Sequence, residues 1–143
     1  MTMKPSPHEA LIYLMVVMSA ADRDMTDAEL GRIGSVIRTL PVFDGFDENR
    51  IIDVARQCQQ ILQQDNGPDR VLDIVRDNVP AELHDTAYAL AVEVAAADLY
   101  VEPEERHMLQ VVRSRLGLEH LVAVAIERAA RARHRSLPDF KRT

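Results

Sequence analysis

The feature that most constrains this chain is a short stretch that occurs twice. The first copy is Ala20-Ala21-Asp22-Arg23-Asp24-Met25-Thr26-Asp27-Ala28-Glu29, and the second is Ala96-Ala97-Asp98-Leu99-Tyr100-Val101-Glu102-Pro103-Glu104-Glu105. Each follows an apolar helical run and opens another. A register of 76 residues carries Asp22 onto Asp98 and Glu29 onto Glu105. The same register pairs His8 with His84, Leu14 with Leu90, Val16 with Val92, Ile33 with Leu109, Val36 with Val112 and Leu40 with Leu116. Core positions therefore match along two helices and the link between them. The reading is two helical hairpins, residues 8–40 and 84–116, packed about a pseudo-twofold axis.

The local signals agree with helices throughout. Ser6-Pro7-His8-Glu9 is a capping box that starts a first helix running to about Asp22. Its residues are apolar in nearly every direction, as in a buried helix. Thr26-Asp27-Ala28-Glu29 is a second capping box, and Pro41 stops the helix it starts. Phe43 and Phe46, in the turn that follows, tuck into the core. Asp47 caps a third helix with a stripe of Ile51, Val54, Ala55, Cys58, Ile61 and Leu62. The glutamines at 57, 59, 60, 63 and 64 face water. Asn66-Gly67-Pro68 breaks this helix, and a fourth runs from about Pro68 to Asn78. The fifth, from Ala81 to about Asp98, is alanine-rich and belongs at the centre. Gly31 and Gly34 in the second helix are read as permitting its close approach to the fifth. The sixth starts at Glu102-Pro103 and ends at Gly117. The seventh, Glu119 to about Arg133, shows an apolar stripe of Leu121, Val122, Ala125, Ile126 and Ala129. No segment alternates with period two over enough length to be a strand. The chain reads as all-α, about seven helices, in a single domain of residues 1–143 with a basic C-terminal tail at 134–143.

Composition narrows the function classes. The chain has 143 residues, long enough to bury a core without a disulfide or a metal. The single Cys58 fits a reducing compartment, and no secretory pattern or apolar run of spanning length is found, so the expected location is the cytoplasm. Net charge is −6, against nucleic-acid binding by the body. The charge is uneven. Residues 128–143 carry Arg128, Arg131, Arg133, Arg135, Lys141 and Arg142 against Asp139, a net of +5, which leaves −11 on residues 1–127. The tail is read as a solvated helix end, with docking to an acidic partner or anionic surface as the sharper alternative. Its removal is expected to leave the melting temperature nearly unchanged.

The repeated acids allow two readings. An Asp at a helix end faces the negative pole of the macrodipole, at a cost of about 0.3–1 kcal/mol if exposed and unpaired. The N–H groups of the next helix can offset this, with Glu29 and Glu105 as capping glutamates. Alternatively, the two links converge and Asp22, Glu29, Asp98 and Glu105 supply hard oxygen ligands for Ca²⁺ or Mg²⁺. The loop is not an EF-hand, since Asp27 stands where the turn Gly belongs and Ile33 where the bidentate Glu belongs. Catalytic patterns are thin. Glu104-Glu105-Arg106-His107 holds one Glu-x-x-His where a di-iron bundle needs two. His8-Glu9 lacks the second His of a zinc-protease helix. Cys58 lies on an apolar face. A metal-dependent hydrolase using the same acids would need a positioning group such as His107. The expectation is a non-enzymatic interaction or metal-sensing module, with a purely structural protein–protein interaction bundle, its acids serving as caps, as the alternative.

The paired Ala-Ala-Asp stretches, each with a downstream Glu, resemble the TerB-like family from about His8 to Leu116. That family includes bacterial tellurite-resistance proteins and a related domain of membrane-associated co-chaperones. The resemblance implies an internally duplicated all-helical bundle and an acidic site suggested to bind divalent cations. It also implies a role in stress response or in scaffolding at the inner membrane, with a protein partner. By position the implied residues are Asp22, Glu29, Asp98 and Glu105. Relatives commonly place Gly after the Asp, where this chain has Arg23 and Leu99. Homo-oligomerisation is left open.

Overall fold

A helix that is apolar on every side needs neighbours on every side, and α1 (Pro7–Ala20) has them. Each side chain from Ala10 to Met18 is buried. The computed structural model, which describes residues 4–20, 25–96 and 103–137, packs α3 (Ile51–Leu62), α4 (Gly67–Asn78) and α5 (His84–Ala96) around α1. The expected capping box closes its N-terminus. The Glu9 N–H donates to Ser6 Oγ at 3.1 Å, and the Ser6 N–H donates to the Glu9 carboxylate at 2.8 Å. Glu9 also accepts from Arg50 at 2.8 Å, which ties α1 to the turn before α3.

α5 is the second central helix. Its Ala87, Leu90, Ala91, Val92, Val94 and Ala95 are buried, and it packs on α1, α6 (Pro103–Arg115) and α7 (His120–Arg133). The small side chains let these neighbours come close, as the alanine content predicts. Among the described residues every regular element is helical. The seven α-helices share one hydrophobic core, and short 3₁₀ turns at Pro41–Phe43, Glu48–Arg50 and Ala81–Leu83 lead into helices or link them. The fold is all-α.

The two histidines paired by the 76-residue register make similar contacts. The His8 Nε2–H donates to the Val42 carbonyl at 2.9 Å, just beyond α2 (Asp27–Thr39), and the His8 ring lies against Phe43 and Phe46. The His84 Nε2–H donates to the Val79 carbonyl at 2.9 Å, while Nδ1 lies 3.3 Å from the Leu116 carbonyl, just beyond α6. Each histidine thus links the start of one helix to the end of the helix after its partner hairpin link. Gly117, at φ 68°, ends α6 in a Schellman arrangement: the Leu118 N–H reaches the Arg113 carbonyl at 3.1 Å. Arg115, in the last turn of α6, donates to Asp73 at 2.6 Å and Asp69 at 3.0 Å and so clamps α6 to α4.

Three sequence expectations change. Gly31 and Gly34 do not serve close approach to α5. A Cβ at Gly31 would meet nothing within 4 Å, and one at Gly34 would meet only the flexible end of Arg38. Replacing Gly31 with Ala is therefore expected to raise stability by about 0.5–1 kcal/mol, read by denaturant unfolding. Gln57 is not merely solvated, because it accepts the Tyr13 hydroxyl at 3.1 Å. The buried face of α7 is Ala123 and Ala130, with Ile126 packed beside them, whereas Leu121 is 79% exposed and Val122 37%. Ala125 and Ala129 are also exposed. The core-facing line is rotated from the apolar one because it includes the polar anchors Glu127 and His134.

Candidate functional site

The repeated acidic junctions are the sequence-derived site. Their first half enters α2 through Thr26, whose backbone is extended at φ −78° and ψ 162°. That geometry lets Thr26 Oγ1 accept the Glu29 N–H at 3.1 Å, while the Thr26 N–H donates to Glu29 Oε1 at 2.9 Å. Glu29 thus closes a reciprocal capping box. Glu105 lies in the first turn of α6 and is half-buried, at the matching place in the second hairpin. Asp22 and Asp98 fall outside the described residues. Among the described residues, no three His, Cys, Asp or Glu side chains come together in a group that could hold a metal ion. Of the two described members of the proposed ligand set, Glu29 closes the cap of its own helix and Glu105 enters α6 in its first turn.

Of the other sequence candidates, Cys58 belongs to the hydrophobic core. Cys58 is fully buried, its thiol directed at the Tyr13 carbonyl 3.6 Å away, and burial pushes its pKa up to about 12. A thiol held neutral in this way is not a nucleophile. Burial likewise pushes the Tyr13 hydroxyl up to about 12. His107 stands exposed on α6.

Two polar clusters escape a reading by periodicity. In the first, the hydroxyl of the buried Tyr88 donates to Glu127 at 2.6 Å. Arg113 lies 3.5 Å from the same carboxylate and donates to His120 Nδ1 at 2.8 Å. This joins α5, α6 and α7. Burial, then the Glu127 hydrogen bond, raises the Tyr88 pKa, so the phenol stays a donor. A shallow groove of about 310 Å³ lies alongside, lined by Gln110, Arg113, Ser114 and Leu118. In the second cluster, Glu93 on α5 accepts from Arg133 at 2.9 Å and from His134 at 2.7 Å. Residue 134, the first of the expected tail, therefore rests on the body. The only hint in the sequence was a lone acid, Glu93 or Glu127, inside an otherwise apolar or basic run.

Burial pushes the Glu93 carboxyl up, but hydrogen bonds from His134 and Arg133 outweigh it and hold the group below its ordinary value of 4.5. A carboxyl with a depressed folded pKa contributes stability above the unfolded value and loses it as pH falls through the folded one. Glu93→Gln is therefore expected to cost about 0.5–1 kcal/mol at pH 7, limited by solvent screening. Melts of both proteins should converge in acid, below the ordinary carboxylate range.

The architecture has a counterpart among known families. The family model for the tellurite resistance protein TerB matches residues 8–128. This chain belongs to the TerB family. The match covers α1 to α6 and the first turns of α7, so it extends past the second hairpin and takes in the Tyr88–Glu127 pair. A comparison with curated proteins found no significant match, nor did one with solved structures. Among the described residues, no helix of this TerB-family chain is long and apolar enough to cross a membrane.

Proposed function

We propose that this chain is a non-enzymatic, cytoplasmic TerB-type module that acts by holding a protein partner in a tellurite-resistance or stress response. The family match over residues 8–128 carries this reading. The use of the ionisable groups supports it. Glu9, Glu29, Glu93, Arg115 and Glu127 each cap a helix or tie one element to another, which is scaffold work. In this reading the junction glutamates Glu29 and Glu105 are helix caps, and the module folds without a metal.

A second reading gives Asp22, Glu29, Asp98 and Glu105 to Ca²⁺ or Mg²⁺. What favours it is the matching placement of Glu29 and Glu105 in the first turns of α2 and α6. Such a cation would be held by oxygen ligands alone.

The functional test is a deletion strain challenged with tellurite and complemented with this chain, beside crosslinked affinity capture from the native host. Restored tolerance and a reproducible protein partner are expected. Turnover on a phosphoester panel by purified protein, lost in Asp22→Asn/Asp98→Asn, would overturn the non-enzymatic reading.

A further inference from the structure

α7 presents two unlike faces. Toward the core it turns Ala123 and Ala130, with Ile126 beside them. On the opposite side Leu121, Ala125, Arg128 and Ala132 follow at helical spacing, and all four are exposed. Leu121 is 79% exposed, more than any other large apolar residue within a described helix, and Val122 stands beside it at 37%. The charged groups of this region divide the same way. Glu127 and Arg133 are spent on Arg113 and Glu93. Arg128, Arg131 and Arg135 are exposed and make no ion pair among the described residues. They stand free although residues 1–127 carry a net charge of −11.

We propose that the outer face of α7 is a docking surface for an acidic amphipathic helix of a partner protein. An apolar residue of the partner covers Leu121 and Val122, and its carboxylates meet Arg128 and Arg131. This rests on the reading of the chain as an interaction module and names the surface that does the work. Charge complementarity selects the occupant. Two copies of this chain meeting face to face would bring both sets of Arg128 and Arg131 into one interface. A membrane surface is a poorer fit, because an interfacial helix inserts a broad face of bulky apolar residues, and here only Leu121 and Val122 are large. The alanines along the rest of the line leave room for a second helix to lie close. The groove lined by Gln110, Arg113, Ser114 and Leu118 opens near the same end of α7, Leu118 being three residues before Leu121.

The test uses two synthetic helical peptides with the same Leu/Ala face, flanked by Glu in one and Lys in the other. Each is titrated into the ¹⁵N-labelled full chain. The Glu peptide is expected to bind and to shift amides of Leu118, Leu121, Val122, Arg128 and Arg131. Its affinity should fall at least about tenfold in Arg128→Glu/Arg131→Glu and as salt rises from about 50 to 500 mM. Leu121→Ser should weaken it as well. All these positions are half-buried or exposed, so the variants should keep the wild-type melting temperature, which circular dichroism checks. Equal binding of the Lys peptide, or wild-type affinity in the variants, would overturn the proposal. So would binding only to phosphatidylglycerol-containing vesicles, or a dimer that Leu121→Ser abolishes in sedimentation. Shifts confined to another face would overturn this surface while leaving the interaction-module reading intact.

Discussion

Replacing Leu14 with Ala is expected to lower the unfolding free energy by about 3 kcal/mol, with a range of about 2–5 for a buried leucine. Leu14 is fully buried on a helix that has α3, α4 and α5 around it. In a chain of 143 residues that loss corresponds to a drop of roughly 6–12 °C in melting temperature. Leu90→Ala, at the register-matched place on α5 and 1% exposed, should behave alike. Leu121→Ala is the control. It too removes an apolar side chain from a helix, but one that is 79% exposed, and the expected change is within about 0.5 kcal/mol. If Leu121→Ala cost as much as Leu14→Ala, the orientation of α7 described above would be wrong.

The second large effect is expected at Gly67, the first residue of α4. Asn66 precedes it in the left-handed region at φ 57°, and the chain there doubles back on the end of α3. A Cβ at Gly67 would fall on the backbone of Leu62, 2.6 Å from its Cα, with the Leu62 carbonyl also overlapped. Backbone cannot swing aside as the end of Arg38 can at Gly34. Gly67→Ala must therefore push α3 and α4 apart, and both pack on α1. The expected cost is about 2–4 kcal/mol, in the range of overpacking or a strained turn. Denaturant unfolding would read it, with Gly31→Ala moving in the opposite direction on the same scale.

These contrasts show what was legible in the sequence and what was not. The capping boxes at Ser6 and Thr26 could be read because capping depends on residues three apart, and both are present. The burial of α1 and α5 followed from their all-round apolar composition. The face of α7 could not be read from periodicity. Its exposed line, with Leu121 and Ala125, is as apolar as its buried one, and the orientation is fixed by Tyr88–Glu127 and Glu93–His134, contacts 39 and 41 residues apart in sequence. For the same reason the small residues at 31 and 34 suggested close packing. Smallness does not say what stands opposite. Of the four acids assigned to the junction site, Glu29 is seen closing its cap and Glu105 enters α6, while Asp22 and Asp98 lie beyond the described residues.

The proposal turns on the junction glutamates Glu29 and Glu105 serving as helix caps in a TerB-type interaction module that folds without a metal. Calorimetric titration of Ca²⁺, Mg²⁺ and Mn²⁺ into chelator-treated protein, beside Asp22→Asn/Asp98→Asn, tests it most directly. No saturable heat is expected up to about millimolar metal, and adding metal should leave the melting temperature unchanged. Glu29→Ala is expected to cost about 1 kcal/mol whether or not metal is present. A saturable heat in the wild type that the double substitution abolishes, with a melting temperature that rises on adding metal, would contradict it.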